Sequence, residues 1–332
     1  MVEQQESVEG KDKPPKAQRT IHIVGATLVV VVLPVVLLDA FLASFCANAM
    51  FIGVGFGVLG STIGGTRRML YVVPCFAVAS GLGAFTAYGW WWAVLLGLLG
   101  VAAGGAMYWG WLPTLLMLPF AATFATPVSS GSDAVVYGVI AGIAAAYGVV
   151  LARRFQAPRN LEGLQVSFPQ ATLVATVFGV ALGASASIGV ALGWTEPYWV
   201  PEPIVLLTLY LIIGKRERIT EKALGTALGV ILVVPVAILA LPTWAISVIA
   251  TTAFVAALTQ LKRYWLYYTL YTFALVLALS TPGNAGTEAA QRGAEILSGI
   301  AILLIGLVVL DALGVSLSKR YPQPELTGPI AP

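Results

Sequence analysis

Residues 134–152, AVVYGVIAGIAAAYGVVLA, run without a charge from Asp133 to the pair Arg153 and Arg154. At a rise of 1.5 Å per residue this stretch forms a helix about 28 Å long, close to the roughly 30 Å hydrocarbon thickness of a bilayer. It reads as a membrane-crossing helix with its acidic end outside and its basic end in the cytoplasm. The rest of the chain has the same character: of 332 residues 58% are hydrophobic and only 10% charged, with a mean hydropathy of +0.89. A soluble domain carries roughly a quarter charged residues to cover a water-facing surface, so most of this chain's surface must face lipid. Its two cysteines, Cys46 and Cys75, both lie in apolar runs, which argues against a disulfide framework or a CxxC metal pair.

Cutting the remaining sequence wherever charges, prolines and glycines interrupt apolar runs gives about twelve segments: 21–44, 47–65, 69–87, 90–106, 111–127, 134–152, 170–193, 199–214, 223–240, 243–260, 264–281 and 291–314. Lone strands cannot explain them, because an open sheet edge in lipid leaves backbone groups unpaired. The predicted fold is therefore an all-α polytopic membrane protein. Residues 1–20, which interleave acidic and lysine residues, read as a disordered cytoplasmic tail. Ala47-Asn48-Ala49 looks like a signal-peptidase site, but the apolar run before it is too long for a signal peptide.

On this map 17 of the 18 Lys and Arg residues fall on one side, leaving only Arg292 opposite. Positively charged loops resist translocation, so that side is cytoplasmic and both termini lie there. The opposite connections carry Asp133, Glu196 and Glu288.

The stretch before residue 134 adds a second regularity. Ala125-Thr126-Pro127 with Ser130-Gly131-Ser132 precedes the sixth segment, and Ser280-Thr281-Pro282 with Ala285-Gly286-Thr287 precedes the twelfth, about 155 positions later. The same offset carries Arg67 onto Lys222 and Trp109 onto Tyr264. The sequence predicts two parallel six-helix repeats, at 21–155 and 170–316, joined by a cytoplasmic linker at 156–169 and followed by a cytoplasmic tail at 317–332. In a parallel repeat the interface between halves is the natural substrate path.

Few residues carry chemistry. Gly55-Phe56-Gly57-Val58-Leu59-Gly60 fits GxGxxG but sits inside an apolar span with no strand before it, so it reads as a helix-packing face. The four-residue spacings Gly60/Gly64, Gly138/Gly142, Gly179/Gly183 and Gly225/Gly229 read the same way. No phosphate-binding loop, hydrolytic triad, cofactor motif or metal cluster is visible, and His22 reads as an anchor at the membrane interface. Trp90-Trp91-Trp92, Tyr108-Trp109 with Trp111, and Tyr264-Trp265 with Tyr267-Tyr268 fall at helix ends and read as headgroup-level belts, with an aromatic substrate lining as the alternative.

Charged residues within spans are more telling, because burial in lipid is costly unless they face a cavity or a partner. Arg67, Lys222, Arg292, Glu295 and Glu202 are the substrate-pathway candidates, and Asp39 and Asp311 the proton-coupling candidates. Each has a plainer reading. Arg67 and Lys222 also serve as topology anchors, Arg292 and Glu295 as an intrahelical pair, and Asp39 and Asp311 as residues snorkelling from helix ends.

Tyr198-Trp199-Val200-Pro201 opening a hydrophobic helix, the run Glu221 to Gly229 with its Gly225-Thr226-Ala227-Leu228-Gly229, and the later stretch from Lys262-Arg263-Tyr264 to Arg292-Gly293 resemble the fusaric acid resistance (FUSC) and aromatic acid exporter superfamily. The resemblance covers mainly residues 170–315, and more faintly Gly64-Gly65-Thr66-Arg67. Larger members carry a soluble cytoplasmic domain for which residues 153–169 leave no room. The resemblance implies an inner-membrane permease exporting small organic acids, typically aromatic carboxylates, with no cofactor or enzymatic step. Expected partners are the bilayer, the organic anion, a separately encoded periplasmic adaptor and further copies of the chain; nucleic acid is not among them. A passive anion channel, like the plant aluminium-activated malate transporters that the superfamily resembles, and a non-transporting scaffold for an adaptor are the competing readings.

Overall fold

The structure, a computed structural model, describes residues 44–154, 165–212, 217–239, 263–279 and 285–315, with isolated positions between 241 and 260. Among the described residues every regular element is a helix: α1 Ser44–Gly64, α2 Thr66–Thr86, α3 Trp90–Gly105, α4 Leu112–Leu115, α5 Met117–Thr123, α6 Gly131–Arg154, α7 Phe168–Ala191, α8 Pro201–Ile212, α9 Glu217–Ile238, α10 Tyr264–Leu279 and α11 Ala285–Ala312. Six helical stretches are long and apolar enough to cross a bilayer: Thr66–Thr86, Trp90–Trp109, Gly131–Arg154, Phe168–Ala191, Glu217–Val236 and Ala290–Ala312.

That is six among the described residues against the twelve spans expected. The expected helix at 21–44 lies outside the described residues but for Ser44, as does much of 243–260. The segments at 47–65 and 111–127 yield shorter apolar helices, Asn48–Gly64 and Leu112–Thr123. The second of these is split into α4 and α5 at Leu116, because Pro119 has no amide hydrogen to donate to the Leu115 carbonyl, while Pro113 occupies the first turn of α4, where proline is tolerated. α8 is described from Pro201 to Ile212. The chain leading into it, Pro197, Trp199 and Val200, is buried, so irregular backbone here is shielded by protein, the setting in which membrane proteins tolerate it.

Local chemistry sets several ends. Ser130 Oγ accepts the N–H of Asp133 at the start of α6 (3.1 Å), Asp133 lies in the first turn and Arg153 and Arg154 in the last, so both ends complement the helix dipole. One residue separates α1 from α2: Gly65, at φ 91°, a value that costs a side-chain-bearing residue strain. Arg68 then donates to the carbonyl of Gly110 at 2.9 Å, tying the start of α2 to the turn after α3.

Lipid-facing and protein-facing surfaces are distinct. Leu98, Ile143, Val180 and Val308 are 64–67% exposed, an apolar exterior that only lipid makes favourable. Between helices the contact residues are small, as expected where lipid removes the hydrophobic drive for helix association. A Cβ on Gly53 would meet Ala141 and Ala144, one on Gly57 would meet Ala145, and one on Gly148 would meet Val54. The rising numbers on both partners show that α1 and α6 run parallel. Gly97, Gly100 and Gly104 of α3 lie against Gly183, Gly179 and Ala175 of α7, in antiparallel order. Gly225 and Gly229 of α9 face Tyr268 and Thr272 of α10, in parallel order. The GxGxxG run is the packing face it was read to be: Gly57 meets Ala145, Gly60 meets Met69 and Met117, and Gly55 meets nothing.

Candidate functional site

Two of the sequence's candidate residues sit deeper in their helices than the predicted boundaries placed them. α9 begins at Glu217 and α11 at Ala285, each about six residues before the expected start, so Lys222 and Arg292 lie inside helices rather than at their mouths. Strong helix formers explain the first extension, with Arg218 and Glu221 paired at 3.1 Å one turn apart.

Four candidates converge. Glu202 of α8, Lys222 of α9, and Arg292 and Glu295 of α11 are all buried. Lys222 Nζ donates to both oxygens of Glu202, at 2.7 and 2.6 Å, and lies 4.9 Å from the centre of the Tyr268 ring. Arg292 donates to Glu295 at 2.9 Å and forms a second ion pair with Glu196, in the connection between α7 and α8. Its guanidinium lies 5.4 Å from the Trp199 ring. Glu196 also accepts from Tyr198 OH at 2.8 Å and from Trp199 Nε1 at 3.1 Å, and Gln291 donates to Glu295 at 2.7 Å. Burial, reinforced by the Glu196 carboxylate, pushes the phenols of Tyr198 and of nearby Tyr88 well above their ordinary range, which keeps both as donors at neutral pH.

The cluster lies at the foot of a cleft. Phe56 and Leu59 of α1, Phe120 of α5 and the following Phe124 form one wall; Glu202 and Leu206 of α8, Arg218 of α9, and Tyr264, Tyr267, Tyr268 and Tyr271 of α10 form the other. The cleft holds about 400 Å³, within the roughly 300–1,000 Å³ of small-molecule sites, and it lies between the two halves of the chain. Beyond Glu202, Tyr268 and Tyr271 it narrows to a tight pocket that also touches Lys222, Thr226 and Arg292, with room for about one water molecule. Thr226 is fully buried, and its hydroxyl finds no hydrogen-bond partner among the described residues.

The other candidates are elsewhere. Arg67 is exposed at the start of α2 and Asp311 is exposed near the end of α11, neither lining the cleft. Asp39 and His22 lie outside the described residues. Tyr264 and Tyr268 are buried, so the tyrosine run of α10 lines the cleft rather than forming a headgroup belt, whereas Trp90, Trp91 and Trp109 are exposed at 60% or more. Sequence reasoning missed Glu196 as a partner of Arg292. The available signal was its place in the loop just ahead of Tyr198-Trp199, five residues before a helix opening on Pro201.

A bundle with this apolar exterior, membrane-length helices and a charged internal cleft is a multi-pass membrane protein. A family model described as fusaric acid resistance protein-like matches residues 184–306, a span that contains the whole charged cluster and the tyrosines of α10. The match covers 123 of the 332 residues, a likeness over part of the chain, in line with the resemblance of residues 170–315. Neither the curated proteins nor the solved structures contain a match.

Proposed function

We propose that the chain is a cell-membrane permease that exports small organic anions, aromatic carboxylates foremost, through the cleft between its halves, driven by a gradient. The observation that carries this reading is the cleft itself: seven aromatic rings and Arg218 lead to a buried Lys222–Glu202 pair. Rings of this kind favour an aromatic guest at centroid separations of about 4.5–7 Å, and a carboxylate needs compensating charge where water is excluded. The cleft's lining includes Arg218 and Tyr264, near the starts of α9 and α10, the end that the basic residues assign to the cytoplasm. Beyond Glu202 the way is closed by ion pairs and a pocket one water wide, which favours a gated carrier over an open channel.

The same reading keeps twelve helices in two parallel repeats with both termini cytoplasmic. Supporting it, α1 with α6 is parallel and α2 with α6 antiparallel, since Gly81 meets Ala134 while Ala77 meets Gly142.

The test is efflux from proteoliposomes that contain the full chain and are preloaded with 4-hydroxybenzoate. The expected result is efflux above protein-free vesicles that saturates with concentration and is inhibited by benzoate but not by the uncharged 4-hydroxybenzyl alcohol. Flux that rises linearly without saturation would transfer the assignment to a channel, and flux equal to the blank would overturn it.

A further inference from the structure

We propose that Lys222 is the carboxylate-binding group of this permease and that Glu202 is its built-in occupant, released as a protonated acid each time a substrate carboxylate takes its place. The inference rests on the transport reading above and names the atoms on which it turns.

The geometry comes first. Lys222 is 1% exposed and spends its ammonium on both oxygens of one carboxylate, the arrangement a bound organic acid would make. That carboxylate sits in the first turn of α8, and Glu202 lines both the open cleft and the tight pocket behind it. A carboxylate arriving along the tyrosines therefore meets Glu202 and Lys222 together. The buried, unpartnered hydroxyl of Thr226 faces the same pocket, supplying a donor that the unloaded site leaves unused.

The charge count decides the protonation. The groups facing Glu202 are Lys222 and Arg218 from α9, Tyr264, Tyr267, Tyr268 and Tyr271 from α10, and Arg292 from α11. Neither α7 nor α5, which also pack against α8, carries an ionisable residue, and Tyr198 in the preceding turn is held by Glu196. Arg292 is committed to Glu196 and Glu295, and Arg218 to Glu221. Unloaded, Lys222 and Glu202 sum to zero. A substrate carboxylate on Lys222 adds one negative charge to a water-poor site whose other lining cations, Arg218 and Arg292, are each already paired with carboxylates. One proton from the aqueous phase, bound to a Glu202 oxygen, restores the sum, with no bond broken but the ion pair. Loaded and unloaded sites then carry the same charge, so neither state strands a charge in the low-dielectric interior. One proton travels with each carboxylate, and transport follows the gradient of the acid while ignoring the membrane potential.

The experiment measures the heat of 4-hydroxybenzoate binding to the full chain in detergent, in buffers of different ionisation enthalpy. The wild type is expected to take up one proton per ligand, its Kd rising about tenfold per pH unit across the range in which that uptake is measured. Glu202→Gln is expected to take up none and to bind with a pH-independent Kd, while Asp311→Asn keeps the wild-type stoichiometry. In proteoliposomes, wild-type flux should not respond to an imposed potential, whereas Glu202→Gln flux should. Wild-type binding without proton uptake, or undiminished uptake in Glu202→Gln, overturns the proposal and leaves the transport reading standing. Should Glu202→Gln fail to insert, the wild-type buffer series decides alone. Absence of any 4-hydroxybenzoate binding or flux overturns both.

Discussion

Arg67 and Lys222 stand 155 positions apart, as do Tyr137 and Arg292, yet the structure treats the members of each pair in opposite ways. Arg67 is exposed while Lys222 is buried against Glu202. Tyr137 is fully buried but neutral, donating to Asn48 and accepting the Thr126 N–H, whereas Arg292 binds two carboxylates. Every buried charged side chain among the described residues belongs to the second half: Glu202, Lys222, Arg292 and Glu295. The first half is held by glycine and alanine seams and by rings such as Phe56 on Phe120, 4.8 Å apart. One half is a dry wall and the other carries the chemistry. Since a buried ion pair is weak evidence of stability, its confinement to one half is best explained by the cleft it closes.

The comparison breaks most visibly at Lys222. Lys222→Met leaves Glu202 buried without its partner, a loss of about 3–5 kcal/mol by the measure of other buried pairs. Adding Glu202→Leu should restore most of that stability while leaving carboxylate efflux abolished. Thermal unfolding in detergent reads the first effect and the efflux assay the second; a double variant no more stable than the single one would show that the pair is structural.

A smaller loss is expected from the dry half. Gly57→Val drives a side chain into the Ala145 carbonyl across the α1–α6 seam, and overpacking of this kind costs roughly 1–3 kcal/mol. The same change at Gly55, where a Cβ meets nothing within 4 Å, should cost far less. Comparing the two in one unfolding series separates seam packing from a general intolerance of branched residues in the helix.

The helices themselves were largely written in the chain. A charge-free run flanked by Asp133 and Arg153 became α6, Gly131–Arg154, and the expected 170–193 became α7, Phe168–Ala191. The glycine pairs fell on seams because in lipid a small residue has few other reasons to recur every four positions. The site was legible only in part. Glu202, Lys222, Arg292 and Glu295 each stood out as charges in apolar surroundings, but the 20-residue separation between Glu202 and Lys222 joins two helices whose packing no local rule gives. Tyr264 to Tyr268 looked like a membrane belt because belts and aromatic clefts have the same composition, and only the position of α1 and α5 opposite α10 distinguishes them. Arg67 was placed beside Lys222 by sequence offset alone, which fixes a place along a helix but not which way it faces.

The smallest expected effect therefore belongs to Arg67, and setting it beside Lys222 gives the most direct test of the account. Efflux of 4-hydroxybenzoate from proteoliposomes is measured for Arg67→Gln and Lys222→Gln at matched protein content. Arg67→Gln should transport as the wild type does, its stability changed by less than about 0.5 kcal/mol as for other exposed positions, while Lys222→Gln should fall to the protein-free rate. Equal losses in the two variants, or undiminished efflux in Lys222→Gln, would contradict the claim that the substrate path runs through the charged half.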